Sequence, residues 1–324
     1  MAEFGLVRNF FDRLLRKVNA STMRAVENQT IVVAEILRRD NMRRKQLTGL
    51  HEAEYCVYSQ WGEDGICNWL LDQLPNIPET FVEFGVENYT ESNTRLILKV
   101  RNWRGLVIDG SQKNVDDIKG QDIYWKHDLK ALCAFIDRDN INNIIESAGI
   151  VGDIGLLSID IDGNDYWVWQ AIRVISPAIV VCEYNAVLGD VYPISVPYRS
   201  EFQRTKADPS NLYFGASIKA MILLGQSKGY TFVGSTSTGA NAFFVRNDYA
   251  EQVLAGLAWV YAFPSKFREA RDAKGNLLYL NGNTRREAID HLPFVDPISG
   301  MAIDLKNLGQ IYSSMWASSM ACKL

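Results

Sequence analysis

Residues 81–111, FVEFGVENYTESNTRLILKVRNWRGLVIDGS, constrain the fold more than any other stretch. Phe81-Val82-Glu83-Phe84 is a short apolar run that stops at Gly85, the form of a buried parallel strand. Ser92 or Thr94 caps a helix that carries Leu96, Ile97, Leu98 and Val100. Leu106-Val107-Ile108 is a second buried strand, closed by Asp109-Gly110-Ser111. A βαβ unit with glycine at the end of its first strand and an acid at the end of its second is the form of a nucleoside-cofactor site. Gly85 lets a ligand approach the backbone. Asp109 follows Gly85 by 24 residues, and its carboxylate suits the two hydroxyls of a ribose.

The cofactor class follows from what is missing. A dinucleotide site wants G-x-G-x-x-G, but Gly85-Val86-Glu87-Asn88-Tyr89-Thr90 keeps only the first glycine, which leaves little to cradle a pyrophosphate. Glu83 suits a cofactor with a positive centre. S-adenosylmethionine has an amine, a sulfonium and a ribose, and no phosphate. The ordinary explanation, a generic βαβ unit with an incidental acid, has to account for two strand-end acids at this spacing.

The stretch FVEFGVENYTESNTRLIL…NWRGLVIDGS resembles the FkbM-like branch of class I S-adenosylmethionine-dependent methyltransferases, which run F-V-D/E-x-G-x-x-D-G, S-N-T and G-W-x-G-x-x-I-E/D. Ser59-Gln60-Trp61-Gly62-Glu63-Asp64 is similar to that family's leading S-Q-x-G-E-D. Ser158-Ile159-Asp160-Ile161-Asp162-Gly163-Asn164-Asp165 is similar to its K-I-D-x-E-G-x-E. The likeness spans residues 55–246. It implies an α/β fold, a doubly wound, Rossmann-like seven-stranded sheet, mostly parallel with an antiparallel last strand. It implies O-methylation of a sugar, glycan or related polyol. Carried over residue by residue, it implies cofactor contacts from Gln60, Glu83, Gly85, Asn93, Asp109, Gly110 and Ser111. The family's Asp-Gly is Asn88-Tyr89 here. Tyr89 does not take glycine's positive φ cheaply, so this loop is expected to follow another path or bind more weakly.

Other parts of the chain add site candidates. Ile123-Tyr124-Trp125 reads as a third strand, which puts Asp128 at its carboxyl end as the partner of the adenine amine. Leu129 to Ala148 then reads as a helix. Residues 154–161 and 178–182 read as strands four and five. Asp160 and Asp162 follow one, and Glu183, Tyr184 and Asn185 follow the other, so their acids share the cleft where open α/β sheets bind ligands. Asp160, Asp162 and Glu183 are the candidates for taking a proton from the acceptor hydroxyl. With Asn185 they also form an oxygen-only set suited to Mg²⁺ or Mn²⁺. Asp162 as a base without metal, and Asn164 and Asp165 as helix caps, are the alternatives. Residues 186–217 form a long insertion, read as a substrate lid, whose Tyr198 and Tyr213 suit the apolar faces of a sugar. Residues 230–234 and 241–245 read as a hairpin, with Asn241 facing the cleft.

Three segments result: a helical extension over 1–50, the catalytic domain over 51–250 and a C-terminal addition over 251–324. The first 50 residues carry ten Lys/Arg against five Asp/Glu. Phe4, Val7, Phe11, Leu14 and Val18 fall on one helical stripe. That stripe suits packing against the domain or a second copy, or peripheral contact with an anionic membrane. A second helix is expected from Thr22 to Leu47, and a charged one over 265–271. A net charge of −4 argues against nucleic acid. The five cysteines, odd in number and without C-x-x-C, fit free thiols in a reducing compartment. No run approaches the roughly 18 apolar residues of a membrane span. The start, MAEFGLVRNFFDRLL, lacks the form of a signal peptide. The expected location is the cytoplasm, at most the inner face of its membrane. Two other functions stay open: a metal-assisted hydrolase or transferase that ignores S-adenosylmethionine, and a degenerate binding protein.

Overall fold

The computed structural model describes residues 2–321. Side chains are described from residue 22 to residue 320, so the stripe from Phe4 to Val18 lies outside them, as does Cys322. The centre is a seven-stranded sheet in the order β3-β2-β1-β4-β5-β7-β6. Its strands are β1 (Thr80–Phe84), β2 (Arg104–Asp109), β3 (Leu129–Cys133), β4 (Gly152–Ile159), β5 (Ile175–Glu183), β6 (Tyr230–Ser235) and β7 (Asn241–Arg246). β7 runs antiparallel to both neighbours, and the other pairings are parallel. This is the doubly wound, mostly parallel α/β fold expected from the sequence.

Helices cover both faces of the sheet: α2 (Glu63–Gln73), α3 (Gln112–Lys119), α4 (Ile141–Ser147), α5 (Asp165–Ala171), α6 (Ile218–Ser227) and α7 (Asn247–Leu254). The period of two along each strand divides the core. Val82, Phe84, Leu106 and Ile108 face one helical layer, and Phe81, Val107 and Leu156 face the other. The chain leaves β1 to build β2 on one side and later β4 on the other. The carboxyl end of β1 is therefore the topological switch point, where such sheets take their ligands.

Four local expectations change. First, α1 (Ala2–Arg43) is one helix, not two, because no proline interrupts residues 18–22. Second, Ile123-Tyr124-Trp125 lies in a short helical turn (Asp122–Lys126), with Ile123 buried and Trp125 exposed. The third strand is Leu129–Cys133, whose Leu129 and Ala131 alternate inward, so residues 129–148 are not one helix. Asp128 consequently sits at the amino end of β3, away from the cleft, 3.7 Å from Arg104. Third, residues 265–271 form no helix; they run as an extended segment beside the cleft. Fourth, Tyr89 does adopt the left-handed backbone, with φ +63°. Its ring is fully buried, its hydroxyl pairs with Thr94 Oγ1 at 3.0 Å, and Arg95 lies over its face. Packing offsets the strain that sequence alone assigns to a tyrosine there.

The insertion is also ordered. Ser195 bridges to Ala216 and Val295, and Arg204–Ala207 makes one helical turn. The C-terminal residues fasten over it: Tyr312 donates to the Val187 carbonyl and Tyr213 to the Pro293 carbonyl, while buried Trp316 donates to the Ala262 carbonyl within the C-terminal addition. Among the described residues, no helix is long and apolar enough to cross a membrane.

Candidate functional site

A cleft of about 890 Å³ opens at the carboxyl ends of β1, β2, β4 and β5. Its volume matches a drug-sized ligand with room for a second molecule. Nine carboxylates line it, against two arginines. Gln60, Glu83, Gly85, Asn93, Asp109 and Gly110 lie along one part, and Asp160, Asp162, Glu183, Tyr184, Asn185 and Asn241 along another.

Gly85 has φ +71°, and a Cβ there would lie 1.6 Å from the Asp160 carbonyl oxygen. The glycine is therefore demanded by contact between the β1 and β4 turns, rather than by a ligand alone. Glu83 is turned away from any ligand charge. Its carboxylate accepts from Ser92 Oγ (2.6 Å), from the backbone N–H groups of Asn93 (2.8 Å) and Thr94 (3.2 Å), and from Thr94 Oγ1. Burial pushes its pKa up, and these donors pull it back. Glu83 thus fixes the start of the turn that follows β1, and Ser92 and Thr94 serve it instead of capping alone. Asn93 Nδ2 donates to Ser158 Oγ, which ties that turn to β4.

Asp109 keeps the form a ribose needs. One oxygen, Oδ1, accepts from Ser111 N–H (2.8 Å) and Asn114 Nδ2 (2.9 Å), which fixes the carboxylate. Oδ2 takes no hydrogen bond among the described residues. Ser111 itself caps α3 and does not line the cleft. Ala134-Phe135-Ile136, after the true third strand, line it where Asp128 was expected. Phe135 is 48% exposed and lies 3.6 Å from a Cβ built on Gly110. Its flat face and the Asp109 carboxylate suit an adenosine, so the residues present fit the nucleoside of S-adenosylmethionine.

The other part is an acid cluster. One carboxylate oxygen each from Asp160, Asp165 and Glu183 lie within 4.8 Å of one another. Burial and mutual repulsion push Asp160 and Glu183 well above the ordinary carboxylate range. Burial lifts Asp165 to about 6, although its oxygens accept from the Ile161 and Gly163 N–H groups. The resident counter-charge is Arg204, from the insertion. It lies 3.1 Å from Asp162, 3.8 Å from Glu183 and 3.0 Å from Glu269, with the Phe214 ring 3.7 Å beneath its guanidinium.

The expected metal set changes accordingly. Asp162 is largely exposed, on Arg204 and outside the close trio. Asn185 is fully engaged: its amide donates to the Leu212 and Phe214 carbonyls and its oxygen accepts from Val187 N–H. Asp160, Asp165 and Glu183 remain as an oxygen-only set of a kind that Mg²⁺ or Mn²⁺ accepts.

The candidate substrate residues also divide. Asn241 pairs with Glu183 in the β5–β7 register and lines the cleft; its Nδ2 donates to Glu63, and its buried Oδ1 has no partner. Tyr184 lies at the cleft wall but is buried in the core, with its hydroxyl spent on the Phe263 carbonyl and Ser235. Tyr198 stacks under Arg138 and beside Trp167, and Tyr213 packs against Phe202 and Phe294; neither lines the cleft. Arg204, Glu269 and Phe135 had no sequence signal, because their roles depend on the paths of long connections. Asp165 was visible only as a cap.

No protein-family model matches the sequence, and no curated protein matches it. Among solved structures, the N-terminal domain of EvdMO1 with SAH bound aligns with a TM-score of 0.39 at 8% identity, over 56% of this chain and 79% of that one. The same domain in the presence of SAH and D-fucose aligns with a TM-score of 0.39 at 10% identity, over 65% and 94%. An S-adenosylmethionine-dependent methyltransferase from Clostridium acetobutylicum ATCC 824 aligns with a TM-score of 0.35 at 9% identity, over 57% and 90%. At such identities and scores these likenesses decide nothing about this chain's chemistry.

Proposed function

We propose that this chain is an S-adenosylmethionine-dependent O-methyltransferase of the FkbM-like kind, acting on a hydroxyl of a sugar, glycan or related polyol. The observation that carries the reading is one cleft holding two unlike ends. At one, Asp109 presents an open, fixed oxygen beside an exposed ring. At the other, buried carboxylates with raised pKa values gather around an acceptor-sized space.

Bound S-adenosylmethionine would supply a methyl group already activated by its sulfonium. The chain's own task is then alignment and proton removal. Asp109 holds the ribose hydroxyls, and Phe135 covers the adenine. Asp160 takes the hydroxyl proton; its surroundings raise its proton affinity toward what a useful base needs. Glu183 has a carboxyl oxygen within 4.8 Å of one of Asp160's, and Arg204 lies beside Asp162 and Glu183. A divalent ion on Asp160, Asp165 and Glu183 would lower the hydroxyl's own pKa and is the assisted form of the same chemistry. Buried free thiols at Cys67 and Cys182 support a reducing compartment, which we take to be the cytoplasm.

The test is a calorimetric titration of metal-free protein with S-adenosylhomocysteine, repeated with Mg²⁺. Micromolar binding is expected, weakened at least about tenfold in Asp109→Ala. No binding in either condition removes the methyltransferase reading. Metal-dependent turnover without the cofactor would select a hydrolase, and a chain that binds and turns over nothing would be a degenerate member of the fold.

A further inference from the structure

The acceptor end of the cleft gathers more carboxyl groups than guanidinium groups. Asp160, Asp162, Glu183 and Glu269 line it, against Arg204, set among them, and Arg268 beside Glu269. A second observation is independent of charge. Asn241 is 4% exposed and lines this same cleft, yet its Oδ1 has no donor. Glu183 Oε2, its neighbour across the β5–β7 pair, is also buried without a donor. Buried acceptors are costly when unmet, so the missing partner is a group rich in N–H or O–H donors. A phosphate or carboxylate would suit only Arg204 Nη2, a buried donor that pairs with Glu269 at 3.0 Å without a well-formed hydrogen bond, and would leave the two acceptors unmet among carboxyl groups. A neutral polyol offers donors without charge. A protonated amine offers three donors and the charge together.

We propose that the acceptor carries a protonated amine beside the hydroxyl that is methylated, as an amino sugar or amino polyol does, and that this end of the cleft is its ammonium site. The inference rests on the methyltransferase reading and adds regiochemistry to it. Carboxylates around an amine favour its charged form. An ammonium nitrogen has no free electron pair, so it is shielded from methylation and the hydroxyl oxygen is the nucleophile. That oxygen forms the new O–C bond as the C–S bond breaks. The bonding pair stays on sulfur, and the hydroxyl proton passes to Asp160.

The test uses glucosamine, N-acetylglucosamine and glucose as calorimetric probes of the full chain, with and without saturating S-adenosylhomocysteine. Glucosamine is expected to bind at least about tenfold tighter than either neutral sugar. Glu269→Gln should shrink that preference several-fold while leaving S-adenosylhomocysteine affinity unchanged. Equal affinities, or no binding of glucosamine at all, overturn the proposal. So does a preference that Mg²⁺ abolishes, since a metal would then be the cation this end takes. The cofactor titration fails separately: an amine preference without S-adenosylhomocysteine binding would keep the ammonium site and remove the methyltransferase reading.

Discussion

Tyr89 occupies a left-handed backbone position at which glycine would be cheaper, and it is the ring that makes the position tenable. Relief of the backbone strain in Tyr89→Gly gains roughly 1–2 kcal/mol. Loss of the buried aromatic costs roughly 3–5 kcal/mol. The variant should therefore unfold about 1–4 kcal/mol more easily in denaturant titration, and a more stable variant would refute this account. Asp165 makes a second prediction at the same scale. Its pKa rises from 3.8 to about 6 on folding, so the native state holds the extra proton between those values. The stability it contributes is complete below about pH 4 and is lost as pH rises to about 6, on the order of 3 kcal/mol. Melting curves across that window should show wild type losing this increment relative to Asp165→Asn. Parallel curves for the two would place the shift elsewhere.

At the scale of elements, α1 is fastened to the domain by charge. Asp72, on α2, accepts from Arg38 of α1 at 2.6 and 2.8 Å and from Arg101 at 2.7 Å, and its side chain is only 6% exposed. Asp72→Asn leaves two arginines facing a neutral amide and should cost about 2–3 kcal/mol, read as a lower midpoint in urea. An unchanged midpoint would show that α1 contributes nothing through this contact. Elements also show what the sequence could and could not convey. The βαβ unit was legible because Phe81–Phe84 and Leu106–Ile108 are continuous apolar runs with turn residues after them. The third strand was not, because Leu129–Cys133 is a short edge strand whose apolar run is broken by Lys130. Ile123-Tyr124-Trp125 looked more strand-like but lacked a partner to pair with. That shift of a few residues moved the expected adenine contact from Asp128 to Phe135.

At the scale of the whole molecule, the acids of the site were legible because strand ends in a parallel sheet converge by topology. Arg204 and Glu269 were not, since they arrive from long connections whose paths depend on distant packing by Tyr213, Tyr312 and Trp316. The long N-terminal helix makes its own prediction. Residues 34 and 41 bury against the domain, while Val26, Val32, Val33, Ile36 and Leu37 remain exposed around its other side. We read that face as meeting a second copy of the chain. Light scattering should find a dimer, and Val33→Glu combined with Ile36→Glu should find a monomer with unchanged S-adenosylhomocysteine affinity. A monomeric wild type would overturn that reading.

The crowding of the Asp160 carbonyl against Gly85 has a consequence for descent and for engineering. Two turns separated by 75 residues of sequence touch with no room for one methyl group. Because the atom met is a main-chain carbonyl oxygen, position 85 must stay glycine whatever side chain stands at 160, while the acid turn is free in residue type so long as its backbone keeps its path. A chimaera that takes its first half from one relative and its acid turn from another keeps this seam if glycine stands at 85 and the turn's backbone follows the same path. The side chains of the acid turn can then be exchanged without disturbing the cofactor end.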